Sequence, residues 1–421
     1  MRSFHFPLAG RFGVLFQLLG GLLLIHGIGV INSGGLLLPG SFAPTTFNTV
    51  VMSALAVIVG FMFFYRVVKF PGVRSGSYVF PIYSLAFGAS LAVILLGRLD
   101  YSRVELVSGY IATLIWFHAM YFFSRRAIRH RLAVIPAGKA EDVSELRSVD
   151  WKVLGSPQVR LDSIQGVVVD LRADLSPEWE RFIADCAVSG IQIYDVRQVT
   201  ESMTGRVEIN HLSENTLGSL NPDDAYLMIK QAVDWLASLL LLILLLPLLV
   251  VVGAVIRLDS PGPALFRQKR MGYRGRVFTA YKFRTMVHRP EVRASREEAI
   301  TRDDDKRITG LGQFLRKSRI DELPQLFNVL RGDMSLIGPR PEALVLSKWY
   351  EESIPFYRYR HIVRPGVTGW AQVMQGHVTD VDDVQKKLQY DFYYIKNFSP
   401  WLDLLIVLKT LRTMLTGWGA R

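Results

Sequence analysis

Apolar residues in this chain gather into five long runs, four before residue 125 and one at 235–256. Runs of about 20 apolar residues match the thickness of a bilayer and rarely fit a soluble core. The four spans read as roughly 13–31, 47–65, 78–96 and 107–123, so residues 1–125 form a four-helix transmembrane region. The first run follows Arg2 and Arg11 but outlasts a typical signal core, and it reads as a retained span. The 32–46 loop has no charge, whereas Arg66, Lys69 and Arg74 follow the second run and Arg125, Arg126, Arg129 and Arg131 follow the fourth. By the positive-inside rule, the N-terminus, the 66–77 loop and everything after 125 face the cytoplasm.

The fifth run is flanked by Lys230 on one side and by Arg257, Arg267, Lys269 and Arg270 on the other, which argues against crossing. Pro247 sits at its middle and removes one helical hydrogen bond. Composition alone leaves two readings open, a Pro-kinked span or a hairpin that enters and leaves by one face.

Between the membrane parts, 126–222 reads as a small cytoplasmic α/β domain of reduced doubly wound type. Its strands are expected at 132–135, 166–170 and 191–195, with a helix at 177–188. A dinucleotide site needs a glycine-rich turn after the first strand. Here that turn is Pro136-Ala137-Gly138-Lys139, so no dinucleotide binding is expected and a structural or partner-contact role is favoured. The single cysteine, Cys186, excludes an internal disulfide framework and reads as a small buried residue.

The net charge of +12 suits anionic lipid or a phosphorylated substrate. Nucleic acid ranks last, because membrane segments flank the soluble parts. The cations of 257–284 are interleaved with Gly262, Gly272, Gly275, Phe266, Tyr273, Phe278, Tyr281 and Phe283. That spacing suits a folded surface better than a polybasic collar. Arg270, Lys282, Arg284, Arg316 and Arg340 are the candidate phosphate-binding side chains. Pro339 and Pro341 flank Arg340 and would aim its guanidinium.

Leu323, Leu326, Phe327 and Leu330 are spaced as one buried helical face that Gly332 ends. Asp321 then stands at the helix start with Glu322 beside it, and Pro324 in the first turn. A lone Asp-Glu pair here is well explained as a helix cap.

The surrounding motifs are more specific. Ser260-Pro261-Gly262-Pro263, Tyr281-Lys282-Phe283-Arg284-Thr285-Met286, Asp321-Glu322-Leu323-Pro324-Gln325, Gly338-Pro339-Arg340-Pro341-Glu342, Pro365-Gly366-Val367-Thr368-Gly369 and Asp391-Phe392-Tyr393-Tyr394 occur in this order. On these motifs the chain resembles the bacterial sugar transferases, the polyprenyl-phosphate hexose-1-phosphate transferases. The four spans and Gly205-Arg206-Val207-Glu208-Ile209 match the long form of that family. The resemblance implies a mainly α catalytic domain at 223–421 whose 235–256 hairpin re-enters the membrane. It also implies that Asp321 is the nucleophile and that Glu322, with Asp321, binds Mg²⁺. The implied reaction passes a hexose-1-phosphate from a UDP-sugar to undecaprenyl phosphate with release of UMP. Such chemistry initiates exopolysaccharide, capsule or O-antigen assembly at the cytoplasmic face of the bacterial inner membrane.

Two other functions compete. A glycosyltransferase would release UDP, but no membrane-proximal Asp-x-Asp motif stands out apart from Asp303-Asp304-Asp305, which reads as a solvated loop. A non-catalytic assembly scaffold would leave the Lys282, Asp321 and Arg340 motifs unexplained. A homodimer is left open, and no residue selects the sugar. The 401–408 stretch is expected as an amphipathic helix on the membrane interface.

Overall fold

The computed structural model describes residues 11–33, 42–71, 76–127, 131–143, 149–158, 164, 166–207, 222–287, 307–375 and 381–416. Arg74, Arg129, residues 208–209 and the 303–305 acidic run lie outside them. The chain divides into two compact units, Met1–Gly205 and Arg206–Arg421. The break precedes the domain boundary expected at 222.

In the first unit, α1 (Arg11–Asn32), α2 (Pro44–Val67), α3 (Gly76–Leu96) and α4 (Arg103–Ala127) are the expected membrane helices. Each is long and apolar enough to cross a bilayer. Aromatic packing joins them inside, with Tyr83 stacked on Phe117 at 4.5 Å. Leu23, Phe80, Leu96 and Ile115 point outward, as lipid-facing side chains do.

The same unit holds a parallel sheet: β1 (Arg131–Val134), β2 (Asp150–Val153), β3 (Gly166–Val169) and β4 (Gln192–Asp195) in the order β2-β1-β3-β4. Around it lie α5 (Ala140–Val143), α6 (Pro177–Val188) and α7 (Val196–Thr204). One face of the sheet packs on Phe182 and Cys186 of α6, the other on Val143 of α5 and Val199 of α7. Cys186 is buried and free, as expected. At the Pro136–Lys139 turn, the Asp170 carboxylate accepts from the backbone N–H groups of Lys139 and Arg172. Those N–H groups are the kind a bound phosphate would use. Burial opposes ionisation of Asp170, yet these bonds hold its pKa below the usual aspartate value.

The second unit begins with α8 (Asp224–Asp259), a 36-residue helix. The helix continues through Pro247, and it extends beyond 235–256 at both ends. The reason is packing. Leu242, Leu249 and Ile256 form one buried stripe on both sides of Pro247, against Phe283, Leu315 and Leu326. Continuous side-chain contact outweighs the single lost backbone bond.

A hairpin follows, β5 (Leu265–Met271) with β6 (Val277–Phe283). Next come α9 (Gly310–Lys317), a 3₁₀ turn at Ile320–Gln325 and α10 (Leu326–Leu330). The unit is completed by β7 (Ser335–Ile337), α11 (Leu344–Ser353), a 3₁₀ segment at Tyr357–Ile362, β8 (Gly366–Thr368), α12 (Trp370–Met374), α13 (Val381–Lys396) and α14 (Pro400–Thr416). β7 and β8 pair in parallel. A Cβ on Gly366 would fall 2.1 Å from the Gly338 nitrogen, so only glycine lets these backbones meet.

The expected interfacial face at 401–408 is instead core: Leu402, Leu405 and Ile406 of α14 are fully buried. Asp403 lies among them because it has partners there: Lys230 of α8 at 2.8 Å and the hydroxyl of Tyr394 at 2.9 Å. The exposed apolar face of α14 carries Val407, Leu411 and Met414.

Candidate active site

Thr309 caps α9 by accepting from the Gly312 N–H at 2.9 Å. The helix ends at Lys317, and Arg319 then adopts left-handed backbone, φ 60°. That reversal feeds directly into the 3₁₀ turn. It leaves no extended residue ahead of Asp321 for a cap, and the cap position belongs to Arg319. The reading of Asp321 as an N-cap is therefore corrected. So is the regular helix expected after it: α10 has five residues, Phe327 points outward, and Leu326, Asn328 and Val329 are buried. A helix this short offers no strong dipole to a phosphate.

Asp321 and Glu322 are both buried, and their surroundings differ sharply. Arg340 grips both Glu322 oxygens, with Nη1 to Oε2 at 3.1 Å and Nη2 to Oε1. Lys282 Nζ donates to Oε1 at 3.0 Å, and Arg319 lies 3.8 Å from that oxygen. Burial alone would raise the Glu322 pKa, but Arg340 and then Lys282 hold it well below the carboxylate range. Asp321 has no hydrogen bond or ion pair through its carboxylate among the described residues. Burial, then the Glu322 charge, push its pKa up against the pull of Lys282, Arg340 and Arg316. One carboxylate is thus saturated and the other is open, raised in basicity, and faces several cations.

Four of the five expected phosphate-binding residues gather here. Lys282 is pushed down to about 8, first by burial and then by Arg340 and Arg270, with Glu322 opposing. Arg270 is lowered to about 10 by burial and by Arg340; it donates to Gln268 Oε1 and to the Pro341 carbonyl. Arg316 donates to Thr285 Oγ1 at 2.9 Å, and its charge reaches Asp321.

Arg284 does not join them. It donates to the carbonyls of Ile256 at 3.2 Å, Ser260 at 2.6 Å and Pro261 at 2.9 Å. Its expected phosphate role is corrected: it ties off the C-terminal end of α8, whose last carbonyls lack helical partners.

Pro339 and Pro341 act through their carbonyls as well as their rings. Pro339 O accepts from Gly366 N at 3.0 Å, and Pro341 O accepts from Arg270. Behind them lies a layer of charge that the sequence did not reveal. Arg360 donates to the Arg340 carbonyl at 2.8 Å and pairs with Asp391 at 2.8 Å. Glu342 pairs with Lys387 and lies 4.0 Å from Arg360. Burial opposes its ionisation, but Lys387 and Arg360 hold its pKa far below the usual value. Glu342 and Asp391 fall within the quoted motifs; Arg360 and Lys387 carried no signal.

Among the described residues, no group of three or more acidic, His or Cys side chains could cage a metal. Glu322 is a poor ligand in this arrangement, because both oxygens already accept from cations. The residues fit a Mg²⁺ carried by a phosphorylated substrate better than a resident ion held by the protein.

Residues 225–417 match the family described as Bacterial sugar transferase. The chain is 44% identical over 375 residues to a UDP-N-acetylgalactosamine-undecaprenyl-phosphate N-acetylgalactosaminephosphotransferase of Aeromonas hydrophila, covering 89% of this chain and 88% of that protein. It is 40% identical over 195 residues to a UDP-glucose:undecaprenyl-phosphate glucose-1-phosphate transferase of Xanthomonas campestris pv. campestris, covering 46% of this chain and 40% of that protein. An undecaprenyl-phosphate galactose phosphotransferase of Salmonella typhimurium is 36% identical over 204 residues, covering 46% of this chain and 41% of that protein.

Proposed function

The chain belongs to the bacterial sugar transferase family, and from that membership we propose that it transfers a hexose-1-phosphate from a UDP-sugar to undecaprenyl phosphate through Asp321. The observation that carries this reading is the open Asp321 carboxylate beside a Glu322 that cations have saturated.

In the first step, an Asp321 oxygen attacks the phosphorus that bears the sugar. The bond from that phosphorus to the bridging oxygen breaks, and UMP leaves with the electron pair. In the second step, an oxygen of the lipid phosphate attacks the same phosphorus. The aspartyl–phosphorus bond breaks, the carboxylate is restored, and a lipid diphosphosugar is formed. Two substitutions on one phosphorus replace one harder direct step. A carboxylate approaching a diphosphate meets strong repulsion. Lys282, Arg270, Arg316 and Arg340 lie where they can offset it without reorganising. Arg360 keeps Arg340 in place through its carbonyl.

Mg²⁺ belongs to this proposal as part of the donor, bound mainly by its diphosphate, where it would neutralise charge. The product would be the first lipid-linked sugar of a surface polysaccharide. UDP-N-acetylgalactosamine is the first donor to test, because the Aeromonas relative matches along nearly the whole chain.

The test is nucleotide release. Purified protein with a UDP-sugar, Mg²⁺ and undecaprenyl phosphate is expected to release UMP; release of UDP would sink the reading in favour of a glycosyltransferase. In the same assay, kcat/KM should fall on the alkaline side as Lys282 loses its proton near pH 8. Lys282→Arg should carry that limb to higher pH. A wild-type profile flat from about pH 7 to 10 would remove Lys282 from the chemistry.

The five apolar helices make this a multi-pass membrane protein. We place it in the inner membrane with the catalytic unit on the cytoplasmic side, α8 entering and leaving by that face and bending at Pro247. Support comes from the two ends of α8. Lys230 and Asp234 bond to Asp403 and Ser335, while the Ile256 and Ser260 carbonyls bond to Arg284, all in the same unit. Single cysteines at Ser189 and Ser353, in a Cys186→Ser background, should react with an impermeant thiol reagent from the same, cytoplasmic side. Labelling from opposite sides would mean that α8 crosses.

A further inference from the structure

A cleft opens between the first turns of α8 and the segment that links α10 to β7. Leu227, Val329, Met334 and Phe398 give it apolar walls, and Lys230, Arg331 and Arg364 bring charge to it. The lining acid is Asp234, which lies 3.5 Å from Lys230 and accepts from Ser335. Lys230 is further matched by Asp403. With Lys230 engaged by these acids, the cationic donors that face the cleft are the two arginines.

Both arginines are held in place on either side of Gly332. Arg331 Nη1 donates to the Tyr281 hydroxyl at 3.3 Å, and its Nε lies 3.7 Å from the half-buried Asp333. Arg364 Nε donates to the Gly332 carbonyl at 3.1 Å, with its guanidinium 5.1 Å from the centre of the Tyr273 ring. Each keeps N–H groups for an anion, since a guanidinium has five.

The level of the cleft along α8 identifies the kind of anion. The outer face of these same turns is already apolar and exposed, at Met228, Ile229 and Val233. Trp235 lines the cleft, and the exposed run beyond it continues through Leu236, Leu240, Ile243 and Leu244. Aromatic and cationic side chains at the start of an apolar helix mark the depth of lipid headgroups. An apolar wall with a pair of forked donors suits a phosphodiester that carries a glycerol and acyl chains.

We propose that this cleft binds the phosphodiester headgroup of an anionic membrane phospholipid, gripped by Arg331 and Arg364. The acceptor lipid is not the occupant. Tyr281 and Lys282 are successive residues of β6, so their side chains leave opposite faces of the strand. Lys282 goes to Glu322 and Tyr281 goes to Arg331, which sets the cleft on the face of the hairpin away from the catalytic pair. A resident phospholipid there would fix the depth at which α8 enters the bilayer. The inference rests on α8 lying in the membrane and not on the transfer chemistry.

The test uses the full chain in nanodiscs of phosphatidylglycerol and phosphatidylethanolamine, followed by detergent exchange and mass spectrometry of retained lipid. Wild type and the Asp321→Asn variant should both retain phosphatidylglycerol. The Arg331→Gln/Arg364→Gln variant should hold it roughly 30-fold more weakly, ~2 kcal/mol for two interfacial cations. A photoreactive residue at Gln231, with both arginines intact, should crosslink to phosphatidylglycerol, which separates a binding defect from a folding defect. Equal retention by the double variant, no crosslink at Gln231, or stoichiometric displacement by undecaprenyl phosphate would each overturn the proposal.

Discussion

Asp321→Asn is expected to lose sugar-phosphate transfer by on the order of 10⁴-fold or more, the scale seen when a covalent nucleophile is removed. The amide keeps the size and shape of the carboxylate but has no charge with which to attack phosphorus. The fold should not suffer. Asp321 is buried without a hydrogen bond or ion pair through its carboxylate among the described residues, and burial disfavours its charge. Removing that charge relieves a desolvation cost and ends its repulsion with Glu322. The melting temperature of the variant should therefore equal or slightly exceed that of wild type. An acid quench during turnover with a donor labelled in its sugar should trap label on wild-type protein and none on the variant. Retention of more than about a tenth of the activity would transfer the nucleophile role elsewhere.

Parts of this arrangement were legible in the sequence because they depend on local pattern. The membrane helices follow from apolar length, and α6 starts at Pro177 because proline suits the first helical position. β2 was missed: Asp150–Val153 is an edge strand with mostly exposed side chains, so it lacks a hydrophobic signature. The helix expected after Asp321 was misjudged because Leu323, Leu326, Phe327 and Leu330 keep an α-helical spacing. The left-handed Arg319 sets the backbone there instead.

Arg284 was misread for a related reason. It stands two residues after Lys282, and strand alternation would put both side chains on one face. β6 ends at Phe283, so the alternation does not reach Arg284, which turns to the end of α8. The charge layer behind Arg340 was beyond local reading altogether. Glu342 meets Lys387 across 45 residues of sequence, and Arg360 reaches the Arg340 carbonyl across 20. Only the tertiary fold brings such partners together.

The neighbouring residue should give the opposite result. Glu322→Gln is expected to destabilise the protein by ~3–5 kcal/mol, the usual cost of leaving buried charge without its partner. Glu322 balances Lys282 and Arg340, and Arg270 lies close enough to feel its charge. With Gln in its place, the cations repel one another and Arg340 loses its two-pronged partner. For a unit the size of Arg206–Arg421 the melting temperature should fall by roughly 10 °C. Activity should fall as well, through the displaced Arg340, although Asp321 remains. Removing one orphaned cation should repair part of the damage. The Glu322→Gln/Lys282→Met pair should be more stable than the sum of the single changes, with a coupling of ~1–3 kcal/mol in a double-mutant cycle. Normal stability with lost activity would show instead that Glu322 works on substrate or metal, and its role as the counter-ion of the site would fall. Asp321 and Glu322 are adjacent carboxylates of one short turn. Asn at the first should stop the chemistry and spare the fold, and Gln at the second should weaken the fold first, because the cations are bonded to Glu322 and leave Asp321 open.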